Sequence, residues 1–382
     1  MAKQRSGYGM LLGCSVLALL GCTESDRHPS DSVGEFAPPS PVYHTVGPIG
    51  RSWSAVPFQV PEDADFRLLV TTHRALELWR VAADFSAEKL AAYPDAGYHP
   101  DHIVLMPESS PEHLRFVVAG EGSSTVQQWS YRDGQLQQDR QWTVRHAPLT
   151  VQAADLDGSG VTDIVVGPYG GNELTVLWQA SDATVDEYFI QAAIIPAYPV
   201  VADWDGDGRP DILWSDWKAG TVRWARNLGE RAFATEIIFT VEADQRPRAV
   251  AVGDVNGDGI NDLVIVTELG PGAYVLFGDG SGGIETTAVI PGTGWGYISA
   301  AVLADGTVLL GEDQRVVLAR YASDGDWSVR QLPAAGMPRD FHWVDINHNG
   351  IDDLVFANSS GNKVSIIPGP IWEQALPLEL EQ

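Results

Sequence analysis

DWDGDGRPDILWS, residues 203–215, places carboxylates at alternate positions of a tight loop and follows them at once with an apolar run. The segment recurs: DLDGSGVTDIVVG begins at Asp155, DVNGDGINDLVIV at Asp254 and DINHNGIDDLVFA at Asp345. The four starts lie 48, 51 and 91 residues apart, and the last interval, near twice the others, predicts a degenerate copy inside it. AVLADGTVLLG, residues 301–311, keeps two apolar runs about a turn and lacks the acidic set. The same step backwards meets VLMPESSPEHLRFVVAG from Val104 and FQVPEDADFRLLVTT from Phe58, again an apolar frame without the full loop. The chain therefore reads as seven units of roughly 44 to 51 residues.

Each unit carries the pattern of four short strands. In the unit that holds the quoted segment these are Tyr198–Ala202, Asp211–Trp214, Thr221–Ala225 and Phe233–Thr240, separated by turn residues. Four strands per repeat at this period predict an all-β fold, a seven-bladed β-propeller with four-stranded blades over residues 41–370. Third strands end in an aromatic at Trp79, Trp129, Trp178, Trp224, Phe277 and Tyr321. Two readings compete, a sugar-stacking ring and packing between blades, and recurrence with or without the acidic loop favours packing. The seventh unit starts near Met337 and runs out after three strands near Gly369. Val42–Ile49 is the expected source of its missing outer strand, which would close the ring and hide two sheet edges. Residues 371–382 are left as a C-terminal tail with no evident role.

In the loop Asp-x-Asp-x-Asp-Gly-x-x-Asp the side chains converge on one centre, and Gly at the sixth position permits the sharp turn. Such crowding is electrostatically unfavourable without a cation. A donor set of oxygen alone selects a hard cation, and the flexible crowded loop selects calcium over magnesium. The expected ligands are Asp155, Asp157, Ser159 and Asp163; Asp203, Asp205, Asp207 and Asp211; Asp254, Asn256, Asp258 and Asp262; and Asp345, Asn347, Asn349 and Asp353. The seventh-position carbonyl of Val161, Arg209, Ile260 or Ile351 adds a further oxygen to each. Up to four calcium ions are expected, with the site at Asp345 weakest because only two of its side chains are charged. An EF-hand is excluded, since that loop needs a Glu at its twelfth position and flanking helices, whereas here an apolar strand follows the ninth-position Asp.

These loops, with the strand before and the apolar run after, resemble the FG-GAP repeats of integrin α-subunit propellers and of bacterial VCBS proteins. The resemblance covers four units strongly and, through the spacing, residues 41–370. It implies structural calcium ions on extracellular modules, at affinities of about 0.1–1 mM. Millimolar calcium would then stabilise by roughly 0.5–1.5 kcal/mol per site.

The first residues are of another kind. Lys3 and Arg5 precede an apolar stretch, Met10–Leu20, too short to span a membrane, and LLGC at residues 19–22 follows. That tetrapeptide resembles the lipobox of bacterial lipoproteins, which implies a signal peptide at 1–21 and lipidation of Cys22. Residues 22–40, rich in Ser, Asp and Pro, read as a flexible tether. By the same resemblance, Thr23 after the cysteine, where an Asp would imply retention at the inner membrane, implies the cell envelope with the outer membrane favoured over the inner. Cys14 falls within the peptide removed, so the mature domain has no cysteine for a disulfide and must be stabilised by its core or by metal.

A formal charge of -27 disfavours nucleic acid and anionic lipid surfaces as main partners. Against that background, basic and aromatic residues gather on the loops expected opposite the acidic ones: His73, Arg74, His99, Arg145, His146, Tyr169, Asn172, Trp217, Lys218, Arg246, Arg248, Trp295, Tyr297, Arg339 and Asn358. The expected function is that of a monomeric, membrane-anchored binding module for a glycan or protein. The mature chain has no Cys nucleophile, and the sequence shows no Gly-x-Ser-x-Gly elbow and no His-rich zinc motif. The rival from another class is a polysaccharide lyase acting on uronate polymers, with His99, His146 and Arg145 as base and charge neutraliser.

Overall fold

The computed structural model describes residues 42–378 apart from 48, 62, 98, 111–112, 271 and 293–295. The expected signal peptide, Cys22 and the expected tether lie outside the described residues. No helix among the described residues is long and apolar enough to cross a membrane.

Among those residues the strands form seven antiparallel sheets, each ordered from an inner to an outer strand. Blade 4, the quoted unit, comprises Pro196–Ala202, Asp211–Asp216, Thr221–Gly229 and Ala232–Thr240. Burial explains the sequence pattern within it. The second strands, DIVVGP, DILWSD, DLVIVT and DLVFAN, are buried at every position because neighbouring blades cover both faces. The outermost strand AFATEIIFT is mostly exposed and accordingly mixed in polarity.

The ring closes where expected. His44–Val46 pairs antiparallel with Lys363–Ile367, in the register His44 with Ile366 and Val46 with Val364. Val46 and Ile49 pack in one cluster with Val364 and Ile366 of blade 7 and with Phe66, Leu68 and Val70 of blade 1, so the N-terminal strand belongs to both sides of the seam.

The expectation of an idle C-terminal tail is corrected. Ile371–Gln374 forms one helical turn, and Leu376–Pro377 adds a fifth strand to blade 6 by pairing with Gln331 and Arg330. Ile371 and Ala375 enter the core between blades 6 and 7, while the Trp372 ring lies under the guanidinium groups of Arg320 and Arg330. A segment this short has no periodicity to read, and its place depends on two blades already side by side.

The third-strand aromatics are packing residues. Trp79, Trp129, Trp178, Trp224 and Phe277 are at most 6% exposed. Trp178 stacks on Phe233 of the next blade, and Trp129 meets Tyr93 of the preceding one edge-on.

Candidate functional site

In all four acidic loops the ninth-position aspartate is fully buried. Its two oxygens accept backbone N–H groups in a repeated pattern. Asp211 Oδ2 accepts from Trp204 N at 3.2 Å and Oδ1 from Asn227 N at 2.7 Å. Asp163 holds Leu156 N and Gln179 N, Asp262 holds Val255 N and Gly278 N, and Asp353 holds Ile346 N and Gly369 N. This carboxylate therefore ties the loop to the chain sixteen residues on, within two residues of the end of the third strand. The residue after the first aspartate, Leu156, Trp204, Val255 or Ile346, is buried and anchors the loop from below.

The first-position aspartate accepts the amides of the fifth and sixth residues in each copy, as Asp203 does from Asp207 N and Gly208 N, and Asp254 accepts Gly257 N as well. The turn needs left-handed backbone at the fourth position as well as the sixth: Gly206 and Gly208 have φ of 70° and 86°. The Asp345 copy has His348 at the fourth position, at φ 58°. The imidazole recovers that cost at the seam, where Nε2 lies 2.8 Å from Ala64 O of blade 1.

Asp155, Asp157 and Asp163 bring carboxylate oxygens within 4.8 Å of one another, as do Asp203, Asp205 and Asp211. Both sets fit a hard divalent cation by donor chemistry. The other two loops differ, because Asn256 Nδ2 donates to Asp258 and Asn347 Nδ2 to Asp353. Cations of the protein also reach the loops: Arg231 Nε is 2.8 Å from Asp157, Arg226 Nε is 2.6 Å from Asp205, and Arg209 pairs with Asp207. Charge crowding is thus relieved partly by arginine, which the spacing argument had left out. Burial pushes Asp163, Asp211 and Asp262 up to about 6, and Asp353 in the same direction, against the backbone hydrogen bonds they accept. In all four seventh-position residues, Val161, Arg209, Ile260 and Ile351, the backbone N–H donates to the fifth-position side chain.

Antiparallel order puts second-to-third-strand loops and interblade connections on the face opposite these loops. Of the residues expected there, Arg74, Arg145, Tyr169, Asn172, Lys218 and Arg246 are exposed, and His73, His99, His146, Trp217, Arg248 and Arg339 are half-buried. Trp295 lies outside the described residues. Two assignments are corrected. Tyr297 is 3% exposed within the core cluster of blades 5 and 6. Asn358 is fully buried and donates to Lys363 O and Ser365 Oγ of its own blade. Both stand beside a strand terminus, where burial by the neighbouring blade outweighs proximity to the surface.

Several of the others hold one another. Arg145 Nη1 contacts Glu173 at 2.7 Å and lies over the Phe189 ring, with His146 3.6 Å from the same carboxylate. Arg248 stacks on Trp217 and Tyr198, Glu268 holds both Arg248 and the Trp217 indole, and Arg339 Nη1 donates to Tyr198 Oη across the channel at 2.9 Å.

Of these, Tyr198 and Arg339 line a cavity of about 200 Å³ among the inner strands, together with Trp53, Asp101, His102, Asp340, Phe341 and apolar neighbours. Sequence reasoning missed Trp53, Asp101, Tyr198 and Asp340. The inner strands of blades 2, 3, 4, 5 and 7 each begin with Pro and shift register within the next residues. Such a bulge re-aims a side chain, here toward the channel. The recurring proline was the available signal. Asp340 is the residue re-aimed in blade 7: its carboxylate accepts from Ser54 Oγ and Ala55 N of blade 1 and faces His342 Nε2 at 3.0 Å. Burial opposes its ionisation, but His342, His102 and Ser54 together hold it well below the usual carboxylate range.

Residues 155–214 and 203–265 match the family model described as FG-GAP-like repeat. The matched region contains the loops at Asp155, Asp203 and Asp254. No curated protein matches the chain. Solved structures match its fold. A putative 6-phosphogluconolactonase from Bacteroides uniformis superposes with a TM-score of 0.62 at 15% identity, covering 83% of this chain and 98% of that one. Virginiamycin B lyase from Staphylococcus aureus gives 0.58 at 12%, covering 86% and 99%. BBS1N, solved in complex with ARL6DN, gives 0.58 at 13%, covering 87% and 98%. At such identities the likeness is one of fold.

Proposed function

From a seven-bladed β-propeller that carries FG-GAP-like repeats, we propose that this chain is a calcium-stabilised binding module, anchored to the cell envelope through Cys22, whose channel mouth receives an acidic glycan. The observation that carries the reading is the rim of the cavity opposite the acidic loops. There the guanidinium groups of Arg248 and Arg339 flank Tyr198, with Trp53, Trp217 and Phe341 alongside. Aromatic faces with fixed cations suit a saccharide bearing carboxylates. One neighbour in fold was solved with a protein bound, which makes a protein ligand the alternative outcome. The lyase reading is disfavoured by the carboxylates that engage its candidates, Glu173 on Arg145 and His146 and Glu121 on His99.

A glycan array probed with the full chain and with Arg339→Gln tests the ligand. Binding to uronate-containing chains, weakened at least about tenfold in Arg339→Gln, supports the reading; equal binding by both proteins rejects the channel mouth. The same mixtures, followed for the ultraviolet absorbance of an unsaturated uronate, tell binding from cleavage.

Calcium should raise the melting temperature, and the gain should depend on pH. The raised pKa values near 6 mean that the cation-free folded protein holds protons that the unfolded chain releases, so that stabilising contribution is lost as pH rises through about 6. Cation-free protein is then weakest near neutrality, and calcium competes with those protons. The gain from millimolar calcium shrinks as pH falls from about 7.5 to about 5. A gain independent of pH across that range would remove the ninth-position aspartates from the ligand set.

A further inference from the structure

A second kind of cluster lies on the opposite face, apart from the acidic loops. His99, Asp101 and Glu121 bring one ring nitrogen and two carboxylate oxygens within 4.8 Å of one another. His99 Nδ1 is 2.6 Å from Glu121 Oε2 and 3.2 Å from Asp101 Oδ1.

The backbone builds this arrangement. His99 sits at φ 59°, a left-handed conformation uncommon outside glycine, and is clamped on both sides: its N–H donates to His73 O at 3.1 Å, and its carbonyl accepts from Glu121 N at 3.0 Å. Glu121 opens the short 3-10 turn Glu121–Ser123 that follows the second strand of blade 2. Asp101 occupies the register shift between Pro100 and His102, which aims it into the channel cavity. The Trp53 ring packs on the imidazole at 4.3 Å.

Comparison with Asp340 separates a structural carboxylate from one left over. Both residues stand at the bulge of an inner strand and both line the cavity. Asp340 has Ser54 Oγ, Ala55 N and His342 around it. Asp101 is 3% exposed, and among the described residues no backbone N–H or hydroxyl serves its oxygens; what faces it is the His99 imidazole, 3.2 Å away, and the Glu121 carboxylate. A buried carboxylate in that state is costly unless a charge of opposite sign is supplied. A single imidazolium cannot offset both Asp101 and Glu121. Burial, with the Glu121 charge added and His99 opposing, raises the Asp101 pKa, and hydrogen bonding to Asp101 raises that of His99 against its own burial.

We propose that His99 Nδ1, Asp101 and Glu121 form a divalent transition-metal site at the channel mouth, best suited to zinc. One imidazole with two carboxylates is a donor set for zinc and its neighbours rather than for calcium. Bonds of about 2.0–2.2 Å place tetrahedral donors near 3.3 Å apart, which matches the 3.2 Å between His99 Nδ1 and Asp101 Oδ1, whereas Glu121, 2.6 Å from the ring, would have to draw back as the ion enters. His99 and Glu121 remain partly exposed, so the ion would keep a coordination position open to the cavity. The site owes nothing to the calcium loops, and it stands or falls separately from the glycan reading.

The test is a zinc titration of the full chain by calorimetry, in millimolar calcium to occupy the acidic loops, with cobalt as a visible-spectrum reporter. One equivalent is expected to bind. His99→Ala and Glu121→Gln should each weaken that binding by about 100-fold, whereas Asp203→Asn, in a calcium loop, should leave it unchanged. Melting in calcium without zinc identifies a variant that fails to fold; Glu121→Gln, half-exposed and isosteric, decides the matter if His99→Ala does. No zinc uptake, uptake undiminished in Glu121→Gln, or uptake lost in Asp203→Asn would overturn the assignment.

Discussion

Replacing Asp211 by Ala destabilises the protein by about 3–5 kcal/mol in chelator as well as in calcium. The side chain is fully buried, and its removal leaves the N–H groups of Trp204 and Asn227 without acceptors. Each buried unsatisfied N–H costs about 1–3 kcal/mol, and the lost volume adds to it. Asn227 amplifies the effect, since it also ties its strand to Leu156 O of the preceding blade at 2.7 Å. The contrast is Asp207, at the exposed fifth position of the same loop, where Asp207→Ala should cost under about 1 kcal/mol in chelator and act mainly through calcium. Guanidinium denaturation of both variants, with and without calcium, reads the difference. If Asp211→Ala matches the wild type in chelator, the ninth-position aspartate is a ligand only and the tie between loop and third strand is immaterial.

Val46→Asp, at the closure, should cost about 4–5 kcal/mol and turn the protein toward aggregation. Val46 is fully buried, opposite Val364 in the added strand, and sits in the cluster shared by blades 7 and 1. A charge there is unpaired and desolvated, and loss of the strand bares the ladder of Lys363–Ile367. Size-exclusion chromatography and the denaturation midpoint check it. A monomer with the wild-type midpoint would mean that the ring is held by the seam contacts of Asp340 and His348 without the N-terminal strand.

Much of the architecture was legible because it is local and repeated. An acidic loop before an apolar run marks the turn between the first two strands of a blade wherever it occurs, and four copies set the period. Degenerate copies at Phe58, Val104 and Ala301 were found from the interval alone. The loop residues at positions one, three, five and nine were equally legible, but the double duty of Asp163, Asp211, Asp262 and Asp353 was not. Whether a carboxylate in such a loop serves a cation or the backbone depends on N–H groups sixteen residues away.

The binding face was read only coarsely. Loop position indicated which residues approach that surface, yet Tyr297 and Asn358 belong to the core, and the orientation of Arg339 and Arg248 is set by Tyr198 and Glu268, contacts that no spacing shows.

By itself the sequence determined the number of blades, the places of the acidic loops and the need for a closing strand, because strand burial and loop geometry repeat at fixed intervals along the chain. Only the tertiary structure decided what fills the channel. Asp340 finds Ser54 across 286 residues and Arg339 finds Tyr198 across 141, whereas Asp101, at the equivalent bulge of blade 2, is left facing one imidazole and a second carboxylate. The physical reason is ring closure: it brings the inner strands of distant blades together, and the partner of each re-aimed side chain is set by that juxtaposition.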